Sequence, residues 1–227
     1  MGRGSFGDVY DCTDEWGNRL VAKVINPNDN TYEKVRYEWK KEFSSLKTLR
    51  HPNITFIHQA FEYRDTFYII LEKCKSTLGS LVYQRSFDRV AHLPYIARDI
   101  LHGLDFIHRN GYVHKDLHLE NIFLSNNVDK RMPSGTFKIA DLGLANLEKS
   151  IDHNTIVAEW MIAPEVLNSA DFGKIGRTMD IYHTALMLME IIAGEQLTFT
   201  HEDILKGVPR KTAESLGSPF SMALSRA

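Results

Sequence analysis

"YVHKDLHLENIFL", residues 112 to 124, sets Asp116, His118 and Asn121 inside apolar flanks. Polar residues between two buried segments describe a loop pinned on both sides, and scaffold-held loops are where binding and chemistry concentrate. Downstream, "FKIADLGLA" (137 to 145) ends a short apolar run on Asp141, followed by Leu142-Gly143, and "IAPEVL" follows at 162 to 167. Each stretch is ordinary alone; their joint order is not.

Upstream, "GRGSFGDVY" (2 to 10) fits G-x-G-x-x-G at Gly2, Gly4 and Gly7. Closely spaced glycines let backbone N–H groups approach phosphate oxygens, because no Cβ stands between them. A plain tight turn explains the pattern equally well. A dinucleotide-binding turn would open a helix, whereas "DVYDC" continues as a strand, leaving a glycine loop between two strands as the phosphate-binding alternative. "VAKVI" then places Lys23 among Val21, Val24 and Ile25, where a charge is awkward unless it is paired or faces outward. Val35, Trp39, Phe43, Leu46 and Leu49 recur at helical spacing. Glu42 lies 19 positions after Lys23 and beside that stripe, and Glu38 shares its side. A surface ion pair accounts for either glutamate taken alone.

Turn signals at Gly17-Asn18, "RD" (64 to 65) and "HPN" (51 to 53) divide the first third into strands and one helix. Helical stretches at about 92 to 110 and 178 to 193 dominate the rest. A strand-rich part meeting a helical part near Leu71 to Lys75 predicts an α+β chain of two lobes with a ligand cleft between them. The 227 residues, 43% hydrophobic, can bury a sizeable core, and a net charge of −2 gives no electrostatic case for nucleic acid or an acidic membrane surface. Two cysteines, Cys12 and Cys74, are too few for a disulfide framework and fit a reducing compartment. The richest apolar run, "TALMLMEIIAG" (184 to 194), is too short to span a bilayer and predicts a buried core helix. With no basic-then-apolar leader pattern, the expected location is the cytoplasm.

In this order the motifs resemble those of eukaryotic-type protein kinases, from Gly2 to about Gly194. The likeness rests on the glycine loop, Lys23 of "VAK", Glu42, "HKD" (114 to 116) for His-Arg-Asp, Asn121, "DLG" (141 to 143) for Asp-Phe-Gly, "APE" (163 to 165) and "MDIY" (179 to 182). It implies a β-rich N-lobe over 1–73 with one helix, lacking most of its first strand, and a mainly helical C-lobe over 74–227, lacking its last helices. It further implies ATP and Mg²⁺ as cofactors and a protein substrate. Backbone amides along Gly2, Gly4, Phe6 and Gly7 would cover the phosphates, and Lys23, oriented by Glu42, would hold the α and β phosphates. Asn121 and Asp141 would ligate Mg²⁺, and Asp116 would accept the substrate proton. Adenine would lie between Val9 and Ala22 above and Phe123 below, against the backbone from Glu72 to Cys74, with Leu71 as gatekeeper. Leu46, Ile57, Leu142 and His114 match the family's apolar stack, anchored by Asp180.

The chain also departs from the pattern. His118 stands where serine/threonine kinases carry a lysine that contacts the γ phosphate, and Ala158 where they keep a threonine. "LHLEN" lacks the arginine of tyrosine kinases, so serine/threonine specificity is expected. The segment from Asp141 to Glu165 offers Ser150 and Thr155 for phosphorylation, but Lys115 lacks arginine's bidentate fork, and phospho-dependence is expected to be weak or absent. Glu165 is expected to lack its arginine partner, and the chain to melt low. Two other readings are a pseudokinase that binds partners without chemistry, against which Lys23, Asp116 and Asp141 are all present, and an aminoglycoside- or choline-type phosphotransferase, which "KDLH" (115 to 118) echoes.

Overall fold

The computed structural model describes residues 2–4, 7–25, 30–125, 135–151, 162–217 and 219–227. Strands β1 (Gly2–Gly4), β2 (Gly7–Thr13) and β3 (Arg19–Ile25) run antiparallel, with Gly4 opposite Gly7 across the first hairpin. The second turn closes because Asp14 accepts the amides of Trp16 and Asn18, at 3.0 and 2.8 Å, while Gly17 takes a φ of +81°. Helix α1 (Tyr32–Thr48) starts on a Thr31 cap and buries Val35, Leu46 and, unusually for a carboxylate, Glu42. Strands β4 (Ile57–Tyr63) and β5 (Thr66–Glu72) complete a five-stranded sheet in the order β1-β2-β3-β5-β4. The β4–β5 turn is Arg64-Asp65, both left-handed at φ 50° and 56°, as a two-residue hairpin with the right twist requires.

The remainder is mainly helical, as expected. Strand β6 (Ser76–Thr77) and helix α2 (Leu78–Val82) lead to α3 (Arg89–Arg109), whose Asp88 cap accepts the Ala91 amide at 3.0 Å. Strands β7 (Tyr112–Val113), β8 (Ile122–Leu124), β9 (Phe137–Ile139) and β10 (Asn146–Leu147) form two small sheets, β6-β8-β9 and β10-β7. Helices α4 (Pro164–Leu167), α5 (Ser169–Phe172), α6 (Arg177–Ala193), α7 (His201–Leu205), α8 (Val208–Ser215) and α9 (Ser221–Leu224) follow. Helix α6 is apolar almost all round and lies in the core, with eleven buried residues, ending on left-handed Gly194.

One apolar cluster runs from Ile25, Val35 and Leu46 through Ile54, Leu117 and Ile139 to Leu186 and Leu224. The segment between α1 and β4 is tied to β9: Asn53 Nδ2 donates to Phe137 O at 3.0 Å, Ile139 N to Asn53 O at 2.9 Å, and Thr55 N to Ile139 O at 2.9 Å. Gly103 of α3 permits this approach, since a Cβ there would stand 2.8 Å from Asn53 O. Glu165, 5% exposed, has no cation at ion-pair distance among the described residues, but it is not without a hydrogen bond, since the Thr178 hydroxyl donates to its Oε1 at 2.8 Å.

Candidate active site

Lys23 lies on β3, which is hydrogen-bonded to β2 on one side and β5 on the other, so its backbone is fixed from both edges. Its ammonium donates to Glu42 Oε1 at 2.8 Å and to Asp141 Oδ1 at 3.2 Å. Burial pulls the Lys23 ammonium down, but the two carboxylates outweigh that and hold it above the ordinary lysine value, so it stays charged. Glu38, four residues before Glu42, is exposed. Asp141 is left-handed, with φ 58° and ψ 68°, a conformation that costs a non-glycine residue about 1–2 kcal/mol. Its Oδ1 also accepts the Gly143 amide at 3.4 Å, and a Cβ on Gly143 would stand 3.4 Å from Glu42 Oε2.

The 112–124 stretch enters from β7 and leaves into β8. Asp180 of α6, fully buried, grips its start: Oδ2 accepts the His114 amide and His108 Nε2, and Oδ1 the Lys115 amide, each at 2.8 Å. Burial alone would raise the Asp180 carboxyl; His108, the nearby histidine ring of His114 and the two amides outweigh it and hold it below the usual aspartate value. Lys115 is left-handed, at φ 73°, so the grip secures a strained residue next to Asp116. His114 Nδ1 accepts the Asp116 amide at 3.3 Å, which leaves the Nε2 proton to donate to Ala140 O at 2.9 Å. That bond links the loop to the residue before Asp141.

Asn121 Nδ2 donates to Asp116 O at 2.9 Å and Oδ2 at 3.1 Å, which fixes the amide and leaves its carbonyl oxygen for a cation. His118 Nδ1 accepts the Glu120 amide at 3.3 Å, and its Nε2 stands 3.7 Å from Asp116 Oδ2. Burial pushes the Asp116 carboxyl up, but His118, His114 and Asn121 together bring it below the usual aspartate value, leaving a carboxylate at neutral pH.

These groups line one cavity of about 380 Å³, within the range of small-molecule sites. Val9, Lys23, Glu42, Leu71, Glu72, Cys74, Asp116, His118, Asn121, Phe123 and Asp141 all contribute to its wall. Ala22 does not: adjacent strand residues face opposite sides, and Val21, two before Lys23, takes that place. The alternation rule applied back from Lys23 would have found it. Lys73, inside the 72–74 stretch expected there, also lines the cavity, as do Thr55 and Ala140, which were not foreseen; of these two Ala140 alone had a signal, as the neighbour of Asp141. The Glu72 carboxylate is already engaged, its Oε1 accepting the Phe56 amide and Lys138 Nζ, both at 2.6 Å. Cys74 is half-buried there, and desolvation, with Glu72 nearby, pushes its thiol up to about 12.

Leu46, Ile57 and Leu142 are buried in the central cluster beside the equally buried His114. Gly2, Gly4 and Gly7 form the first hairpin, while Phe6, Thr155 and Ala158 lie outside the described residues. Ser150 is exposed, closing a short helical turn at Glu148–Ser150. Among the described residues no group of three or more histidine, cysteine or acidic side chains forms a metal cage. Asn121 and Asp141 fit instead a cation that brings other ligands with it, as Mg²⁺ does with phosphate oxygens.

The sheet-then-helix order, the paired Lys23 and Glu42, and an Asp180-gripped loop facing Asp141 converge on one class, and the chain belongs to the protein kinase domain family, whose profile matches residues 1–216. Among its relatives, human NUAK family SNF1-like kinase 1 is 28% identical over 214 residues, which are 92% of this chain and 31% of that protein. Mitogen-activated protein kinase kinase kinase 1 of Arabidopsis thaliana is 31% identical over 201 residues, 86% of this chain and 31% of its own length. The RAF proto-oncogene serine/threonine-protein kinase of Xenopus laevis is 29% identical over 212 residues, 88% and 31% respectively. The chain thus spans about a third of the length of these relatives.

Proposed function

We propose that the chain is a serine/threonine protein kinase domain that transfers the γ-phosphoryl group of Mg-ATP to a hydroxyl of a protein substrate. The observation that carries this reading is Lys23 held between Glu42 and Asp141 in the cavity that also contains Asp116 and Asn121. Phosphoryl transfer asks a protein to position groups and neutralise charge, and these residues cover both tasks. Lys23, kept charged and aimed by Glu42, would bind the α and β phosphates. Bound Mg²⁺ would offset charge on the phosphates, held by the Asn121 carbonyl oxygen and the Asp141 carboxylate. Asp116 would orient the attacking hydroxyl and take its proton. Val9 and Val21 above and Phe123 below would enclose the adenine, with the glycine hairpin's amides over the phosphates.

On this reading residues 1–73 are the upper lobe and 74–227 the lower. The relative named as a serine/threonine-protein kinase supports that substrate class, as does the absence of an arginine in "LHLEN". Free thiols at Cys12 and Cys74 agree with a reducing compartment such as the cytoplasm. Among the described residues no helix is long and apolar enough to cross a membrane.

One observation favours a second reading, a pseudokinase. The position that serves the γ phosphate in the family is His118, whose imidazole carries a full positive charge only when protonated. Incubation with radiolabelled Mg-ATP and a generic protein substrate separates the two. Labelled serine and threonine that disappear with Asp116→Asn establish the kinase; Mg-ATP binding with no labelled protein in either sample establishes the pseudokinase.

A further inference from the structure

A second cavity, of about 710 Å³, shares Glu72 and Lys73 with the first, so the end of β5 is a wall common to both. Its lining carries the cations Arg19, Arg50, Lys73 and Lys138, the imidazoles of His51 and His58, and one carboxylate, Glu72. The chain as a whole bears −2, so this concentration of positive charge runs against the bulk. Concave walls focus such a field toward an anion.

The four cations are not equivalent. Lys138 is bonded to Glu72 at 2.6 Å, and Lys73 to Asp11. Arg19 and Arg50 have no carboxylate at ion-pair distance among the described residues; Arg19 is felt by Asp11 only through space. Arg50 is nonetheless held in place, its guanidinium carbon 4.3 Å above the centre of the Phe56 ring. Stacking occupies the guanidinium's face and leaves its N–H edge for hydrogen bonds. His51 accepts the Asn53 amide at Nδ1, at 3.1 Å, and burial, followed by the nearby His102, lowers its affinity for a proton. Its remaining Nε2–H is a donor. The groove is thus lined with donors and with two guanidinium groups that have no carboxylate at ion-pair distance among the described residues, and it lies on the opposite side of the Glu72–Lys73 wall from Asp116.

We propose that this groove binds a phosphate-bearing anion, gripped by Arg19 and Arg50 over a floor of imidazole and lysine donors. A phosphate monoester brings nearly two charges and three acceptor oxygens and matches the arginine fork, which a single carboxylate does less well. The proposal does not depend on catalysis in the first cavity. Isothermal titration of the full chain with tripolyphosphate, and separately with a phosphoserine peptide, tests it. Expected is binding that weakens at least tenfold in Arg19→Ala/Arg50→Ala and is unchanged in Lys206→Ala, an exposed cation outside the groove. Both arginines are exposed, so the double variant should keep the wild-type melting curve and the wild-type labelling activity. Whichever probe binds tighter names the source, a protein partner or a small polyphosphate. Absence of binding by both probes, equal binding in the double variant, or equal affinity for pentaglutamate overturns the proposal.

Discussion

Asp180 carries more of the site than any residue that faces the cavity, because three donors converge on a carboxylate with no access to water. Asp180→Asn turns one acceptor oxygen into a donor against a donor, and should cost about 3 kcal/mol in chemical unfolding. The carboxyl's folded pKa is lowered, so its contribution is present above the unfolded value near 3.9 and is lost as pH falls through the folded value. Melting curves should therefore show wild type losing stability below about pH 5, with that part of the acid limb missing in Asp180→Asn. A variant as acid-sensitive as wild type would contradict the assignment. His118 raises a different question, since it faces Asp116 and lies within the electrostatic reach of Glu190. If a full charge at that position serves the phosphates, His118→Lys should label substrate faster than wild type and His118→Ala more slowly. Equal labelling by all three would show that no charge at residue 118 is used.

The elements follow from local rules, and one of them was built against its preference. A two-residue hairpin with both residues left-handed favours Asn-Gly, yet β4 and β5 are joined by Arg64-Asp65. Arg64→Asn with Asp65→Gly should therefore stabilise the chain by about 1 kcal/mol, seen as a melting shift of roughly 2–4 °C. No shift, or a fall, would mean that the Arg64 contact with Tyr63 matters more than backbone strain. This turn was legible as "RD" between two apolar runs, as was α1 from its stripe and α6 from its apolar run. Lys23, Glu42, Asp116, Asn121 and Asp141 were legible as a set because their order along the chain is distinctive. Val21 was missed through a slip of one position on a strand, the error that period-two geometry punishes most. Asp99 escaped altogether: it caps the start of β9, accepting the Phe137 amide at 2.9 Å across 38 residues, and nothing in the local pattern marks it. The cationic groove was equally invisible, because Arg19, Arg50 and Lys138 come from three separated segments.

At the scale of the molecule, the cavity between sheet and helices should behave as a ligand-stabilised joint. A non-hydrolysable ATP analogue with Mg²⁺, at 100 times its dissociation constant, should add about 2.7 kcal/mol of stability. For a chain of this size that is a rise of roughly 5–10 °C in Tm. Asp141→Asn should keep the part seen with nucleotide alone and lose the part that depends on Mg²⁺; an unchanged Mg²⁺ increment would overturn the metal-binding role proposed for Asp141. The ties between Asn53, Thr55 and β9 bear on how that joint can move. The sheet is joined to the helical body by the chain crossing after Glu72, by the short parallel bridge of Ile54 with Ile139, and by the side-chain bonds of Lys23 to Asp141, Lys138 to Glu72 and Lys41 to Asn146. Widening the cleft has to part the Lys23 ammonium from Asp141, so the same salt link that aims the lysine also acts as a latch between sheet and helices.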